Sequence, residues 1–176
     1  MPTHNTKRPA FSPMSERECE ELLQRNHVGR LCFINKGQPD VEPVHYVRVD
    51  DWIFLRSAMG TKIEAFAHHP YVAFEIDEIR DTFEWRSVVA RGTIYVLPRD
   101  GPRTEHEALE RAVRALRSFV PETLTDDDPT PARQIVYGIH VDRLTGRMAE
   151  PDLGSSTRPR LSASRAERPP SAADGF

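Results

Sequence analysis

Between Val28 and Leu144 the chain offers six short strand-like runs separated by turns, and that count constrains its fold more than any other feature. Val28–Asn35 is mainly apolar and ends in Lys36-Gly37-Gln38-Pro39, a turn signal. Val41–Val49 alternates, with Val41, Pro43, His45, Val47 and Val49 on one face and Val44 and Tyr46 on the other. Asp50-Asp51 turns the chain into Trp52–Arg56, so the first three runs form an antiparallel meander. Tyr71–Ile79, Arg86–Leu97 and Ile135–Leu144 supply three more, the last stopping at Thr145-Gly146. Six antiparallel strands are too many for an open sheet with one covered face. Closure into a barrel removes the unpaired edges. The pattern therefore predicts a mainly β fold with short helices, either a six-stranded antiparallel barrel or a sandwich of the same strands.

Three helices interrupt this order. Ser15 and Glu18 stand at capping-box spacing, and Cys19, Leu22 and Leu23 follow on one helical face that ends near Asn26. A second helix opens at Gly60-Thr61-Lys62, buries Ile63, Phe66 and Ala67, and closes at His69-Pro70. A third begins at Thr104, with capping-box spacing to Glu107, and carries the stripe Leu109, Ala112, Val113, Leu116, Phe119 and Val120. Residues 1–13 hold three prolines and little to bury, and are expected as a flexible arm. Residues 14–148 form the folded domain, and residues 149–176, rich in Ser, Pro, Arg and Ala, are expected as a disordered tail.

A formal net charge of −3 with both signs mixed along the chain argues against broad capture of nucleic acid, which needs a concentrated basic face. Cys19 and Cys32 are too few for a secreted disulfide scaffold and read as reduced core residues. The absence of an HxH or HExxH spacing makes a dedicated metal site improbable. With no apolar leader at residues 1–13 and no run of membrane-spanning length, the expectation is a soluble, cytoplasmic protein.

Chemistry concentrates in three segments. In Phe54–Phe66 a strand ends in Arg56 and Ser57, a small-residue loop follows, and Lys62 lies in the first turn of a helix. Free N–H groups and the helix dipole favour an anion there, and Arg56, Ser57, Thr61 and Lys62 add two charges and two hydroxyls. A terminal phosphate suits this cluster; an ordinary solvated helix start reads the same by spacing. In the second segment, Trp85 can cover an aromatic ring, Arg86 offers a planar fork of donors and Ser87 a small donor–acceptor. A rim tryptophan beside an ion-paired arginine is the plainer alternative. In the third, Pro43–Tyr46, His45 or Tyr46 presents a polar ring toward a ligand, unless both are simply half-buried strand residues.

Taken together, SERECEELLQRNHVGRLCF, PDVEPVHYVRVDDWIFLRSAMGTKIEAF, HHPYVAFEIDEI and WRSVVARGTIYVL resemble the pyridoxamine-5′-phosphate-oxidase-like superfamily, in its flavin-nucleotide-binding, nitroimidazole-resistance-like branch. The likeness runs from about Ser15 to Arg147. It implies a split β-barrel homodimer with FMN at the subunit interface. Pro43, Val44, His45 and Tyr46 would then run beside the flavin ring, and Leu55, Arg56, Ser57, Gly60, Thr61 and Lys62 would hold the ribityl-phosphate, with Lys62 on the phosphate. Trp85, Arg86, Ser87 and Val88 would contribute to the same pocket. His45 and Tyr46 are the candidates for contacting a small-molecule substrate, by analogy a nitro-aromatic or quinone-like compound. The polar stretch after Gly146 lacks the arginine and histidine ending of the family's namesake oxidases, so pyridoxal-phosphate synthesis is not expected. A deazaflavin (F420) enzyme and a non-enzymatic flavin or haem carrier, with His45 as an axial ligand, are the alternatives.

Overall fold

The structure, a computed structural model, describes residues 9–60, 62–100 and 102–151. Its elements in chain order are β1 (Pro9–Pro13), α1 (Glu16–Arg25), β2 (Val28–Asn35), β3 (Gln38–Val49), β4 (Trp52–Ser57), α2 (Lys62–His68), β5 (Tyr71–Asp81), β6 (Glu84–Leu97), α3 (Arg103–Phe119) and β7 (Ile135–Pro151). The strands pair antiparallel in the order β1-β7-β4-β3-β2-β5-β6, and β6 pairs back onto β7. Strands β2 to β7 therefore close into the expected split barrel, and β1 is a seventh strand added to the far end of β7.

Alternation within the strands sorts side chains to the two sides of the wall. Ile53 and Leu55 of β4 point inward to meet Tyr46, Phe74, Ile76, Val88, Tyr137 and Ile139 in one core. Phe54, between them, points outward into a second core with Val47, Leu97, Val136 and the α3 residues Ala112 and Leu116. The consecutive apolar residues of β4 thus reflect a wall buried on both sides. The exposed side is elsewhere: Val28, Val41, Tyr71 and Ile79 stand open on the outer surface of β2, β3 and β5. Among the described residues no helix is long and apolar enough to cross a membrane.

Several boundaries differ from expectation. Pro9–Pro13 is a strand rather than part of a loose arm, paired with Arg147–Pro151. An edge position tolerates its two prolines because their missing N–H groups face away from the ladder. Phe11 lies against Trp85, ring centroids 6.2 Å apart, which gives this short strand something to bury. Residues 1–8 and 152–176 of the expected arm and tail lie outside the described residues. Thr145-Gly146 does not end β7. A Cβ on Gly146 would lie 2.5 Å from the Cys19 sulfur and 2.9 Å from Met14 Cβ, so the glycine lets the strand pass close beneath α1. Helix α3 starts at Arg103 behind Pro102 with no side-chain cap, so the Thr104–Glu107 spacing is not used. Its buried stripe narrows to Ala112 and Leu116, and Phe119 is 39% exposed. Cys19 is buried as expected, whereas Cys32 is half-buried on β2; both are free thiols.

Helix α1 has the predicted capping box: the Glu18 N–H donates to the Ser15 hydroxyl and the Ser15 N–H to the Glu18 carboxylate. Its other end is tied to β5. Arg25 Nε and Nη2 each donate to the Glu78 carboxylate at 2.7 Å, and Asn26 Nδ2 donates at 2.8 Å. The Arg25 contact, helped by Asn26 and opposed by partial burial, lowers the Glu78 pKa from the usual 4.5 to about 2. A carboxyl depressed in the folded state stabilises the protein above its unfolded value and loses that contribution as the pH falls through its folded one. Glu78 should therefore contribute on the order of 1 kcal/mol at neutral pH, given its partial exposure, and nothing below about pH 2. Melting temperatures of wild type and Glu78→Gln should converge as the pH drops from 4.5 toward 2. A gap that persists through that window would contradict this assignment.

Candidate functional site

The first cluster lies where β3 and β4 meet the start of α2. The last β3–β4 pair is Tyr46 opposite Leu55, which brings Pro43–Tyr46 beside the end of β4. Val44, Tyr46 and Leu55 face the barrel interior and are buried. Tyr46 donates its hydroxyl to the Leu23 carbonyl at 2.9 Å, and burial pushes its pKa well above the usual tyrosine value. As folded, Tyr46 is a core residue tying α1 to the wall, not a ring offered to substrate. The alternation that buries it turns His45 outward. His45 is exposed, its ring 6.0 Å from Phe119, which stacks on His27 at 4.2 Å.

At the end of β4, Ser57 donates its hydroxyl to the Ala58 carbonyl at 3.0 Å and lies 3.3 Å from the Tyr137 hydroxyl. No atom lies within 4 Å of where a Gly60 Cβ would stand, so the loop is open there. Lys62 follows at the first position of α2, its ammonium on the Glu42 carboxylate. Thr61 lies outside the described residues.

Arg56 departs from expectation. It faces outward and forms a bidentate pair with Asp128, in the loop between α3 and β7. Further donations go to Thr130 Oγ1 at 2.9 Å and the Arg133 carbonyl at 3.4 Å. The Arg56 side chain is 9% exposed and that of Asp128 is 0% exposed. The guanidinium, joined by the N–H groups of Thr130 and Leu124, holds the Asp128 carboxyl far below the usual range against the effect of burial. The Arg56 donor fork is thus engaged in anchoring this loop rather than turned toward the Ser57–Lys62 corner where a phosphate was expected. Asp128 was missed in the sequence because its partner lies 72 residues away. The Asp-Pro-Thr run that shapes the loop is the only local signal of it.

The second cluster lies at the start of β6. Trp85 faces outward beside Phe11, with exposed Ile79 and Phe83 nearby on the same hairpin. Arg86 Nη2 is 3.8 Å from Glu150, and Ser87 donates its hydroxyl to Glu75 at 2.9 Å. Val88 is fully buried in the core. Along β7, Leu55 is opposite Tyr137 and Trp85 is opposite Ala149, twelve residues further on. Across the sheet the segments are nearer: His45 is opposite Val28, β2 pairs with β5 through Arg30 and Glu75, and Asp77 is opposite Ser87. At ~4.8 Å per strand, three spacings separate Pro43–Tyr46 from Trp85–Val88 by roughly 15 Å. Val44, Tyr46, Leu55 and Val88 share one core.

A separate hollow of about 280 Å³ lies between α2 and the β2–β3 turn, lined by Asn35, Lys36, Glu64, His68 and His69 among others. It contains none of the predicted site residues. Among the described residues no three His, Cys, Asp or Glu side chains converge as a metal site would require.

The pyridoxamine 5′-phosphate oxidase family matches residues 15–148. An uncharacterised protein of Rhizobium meliloti, RA0666, is 29% identical over 85 residues, which span 48% of this chain and 56% of that relative. An FAD-binding protein of Mesorhizobium loti, mll6688, is 27% identical, with a TM-score of 0.62 over 80% of this chain and 98% of its own. The FAD and haem binding protein of Mycobacterium smegmatis shares the fold, with a TM-score of 0.55 and 18% identity over 91% of this chain and 94% of its own.

Proposed function

The chain belongs to the pyridoxamine 5′-phosphate oxidase family, and from that premise we propose that it is a flavin-dependent oxidoreductase holding FMN between two copies of itself. The observation that carries this reading is the corner at the start of α2, where the Ser57 hydroxyl, the open turn at Gly60 and the Lys62 ammonium follow one another. Trp85 faces outward on a different strand from that corner, and a second copy packed against the first in two-fold symmetry would add its aromatic ring to the site. The exposed Val28, Val41 and Tyr71 give that second copy an apolar surface to cover.

The donor set fits a flavin phosphate in part. The Ser57 hydroxyl, the open backbone at Gly60 and the Lys62 ammonium suit a terminal phosphate, and the Glu42 carboxylate already stands on Lys62 as an anion would. Arg56 does not fit, being committed to Asp128. A bound flavin supplies the hydride or electron transfer. The protein's part is to fix the phosphate at Ser57 and Lys62 and to cover the ring with Trp85. Arg86 places positive charge near it, and exposed His45 is left to meet a small-molecule substrate.

Titration with FMN, FAD and riboflavin tests this. FMN and FAD share the riboflavin-phosphate unit that these donors would hold; riboflavin lacks the phosphate. Lys62→Ala should weaken FMN binding by about 1.5–3 kcal/mol through loss of a charge-assisted contact and leave riboflavin binding unchanged. Unaltered FMN affinity would remove Lys62 from the site. A wild-type protein that binds no flavin, and takes up haem or deazaflavin F420 instead, would overturn the reading.

A further inference from the structure

Lys62 is the one cation of the phosphate corner that is not locked into the fold, and its partner sets the terms on which an anion can reach it. The two ion pairs at this corner differ in kind. Arg56 and Asp128 are both buried, and the guanidinium is also held by Thr130 and Arg133. An incoming ligand would have to unmake four contacts to recruit Arg56. Lys62 and Glu42 are 21% and 34% exposed, and the salt bridge is the contact that joins them. With Asp128 cancelling Arg56 and Glu42 cancelling Lys62, the corner carries no net charge to attract a dianion.

We infer that Glu42 is a competing anion on Lys62, which a phosphate-bearing ligand must displace and which thereby sets affinity for the phosphate. This rests on the flavin-phosphate reading above. Glu42 sits on β3 immediately before Pro43, which holds the Glu42 backbone extended, so its Cα stays beside Lys62 even when the half-exposed carboxylate swings off the ammonium. When phosphate arrives, two anions face one ammonium, and the repulsion between them subtracts from binding. Glu42 is a specificity-determining residue in this scheme: it disfavours phosphate-bearing ligands relative to uncharged ones.

Glu42→Gln keeps the side-chain length and removes the charge, and circular dichroism can establish that the variant folds. FMN and riboflavin are titrated against wild type and variant at low and high salt. The variant should bind FMN about fivefold more tightly at low salt, with less gain at high salt because the interaction is screened. Riboflavin affinity should not change. Wild type that binds FMN while Glu42→Gln shows equal or weaker FMN affinity would overturn the inference and leave the flavin reading standing. So would equal tightening of both ligands, which would locate the effect away from the phosphate. Wild type that binds neither compound would instead defeat the flavin reading itself.

Discussion

Asp128→Ala is expected to destabilise the protein by about 3–5 kcal/mol, the cost of removing one partner from a buried ion pair. The Arg56 side chain is 9% exposed, so water cannot replace the lost carboxylate, and only Thr130 Oγ1 and the Arg133 carbonyl remain to accept from it. The substitution also strands the N–H groups of Leu124 and Thr130, which donate to Asp128 at 2.7 and 2.8 Å. By contrast, breaking the exposed Arg17–Glu21 pair on α1 should change stability by well under about 1 kcal/mol. Urea denaturation of the two variants checks the contrast. Replacing Arg56 and Asp128 together with leucine should recover much of the loss, because no buried charge is then left alone. A cost below about 1 kcal/mol for Asp128→Ala would mean that the loop moves to readmit water. Flavin affinity measured on the folded Asp128→Ala protein should stay near wild type if Arg56 serves to anchor the loop and takes no part in holding phosphate.

The contrast between Arg56 and Lys62 also shows how far the sequence could be read. One is a cation at a strand end and the other a cation at the next helix start, and nothing in Phe54–Phe66 says which of them is already paired. Their roles diverge because β4 turns Arg56 outward toward a carboxylate 72 residues away, a pairing that local pattern does not encode. His45 and Tyr46 illustrate the same limit differently. Alternation placed them on opposite faces, but Val44 and Val47 make both faces apolar, because α3 covers part of the outer wall. Which face was interior became visible only once the barrel closed. Legible features were those with a local physical cause. The Ser15–Glu18 box satisfies free N–H groups within four residues, and Lys36–Pro39 and Asp50-Asp51 mark the turns of the first three strands, whereas Thr145-Gly146 does not end β7. Closure followed from the cost of open edges. Strand β1 was not legible, since five residues with two prolines have no period of their own and gain order only from β7 and Trp85.

The placing of Lys62 and Trp85 on two different elements leads to the other large effect. Lys62→Ala and Trp85→Ala should each weaken FMN binding roughly tenfold or more, the first through the phosphate and the second through lost ring contact. They should do so from α2 and β6 respectively. If each site takes Lys62 from one copy and Trp85 from the other, the two defects can be separated. Mixed dimers of the two variants then contain one site with both residues intact and one site with neither. A site built within a single chain cannot be repaired this way.

The measurement that tests this account most directly is therefore FMN titration of mixed Lys62→Ala/Trp85→Ala dimers, purified through two different tags, beside the two parent variants. The account predicts wild-type affinity at about half the wild-type number of sites, in a sample whose parents both bind weakly. Mixed dimers no better than their parents, or variants that never form a dimer, would contradict a site shared between two copies.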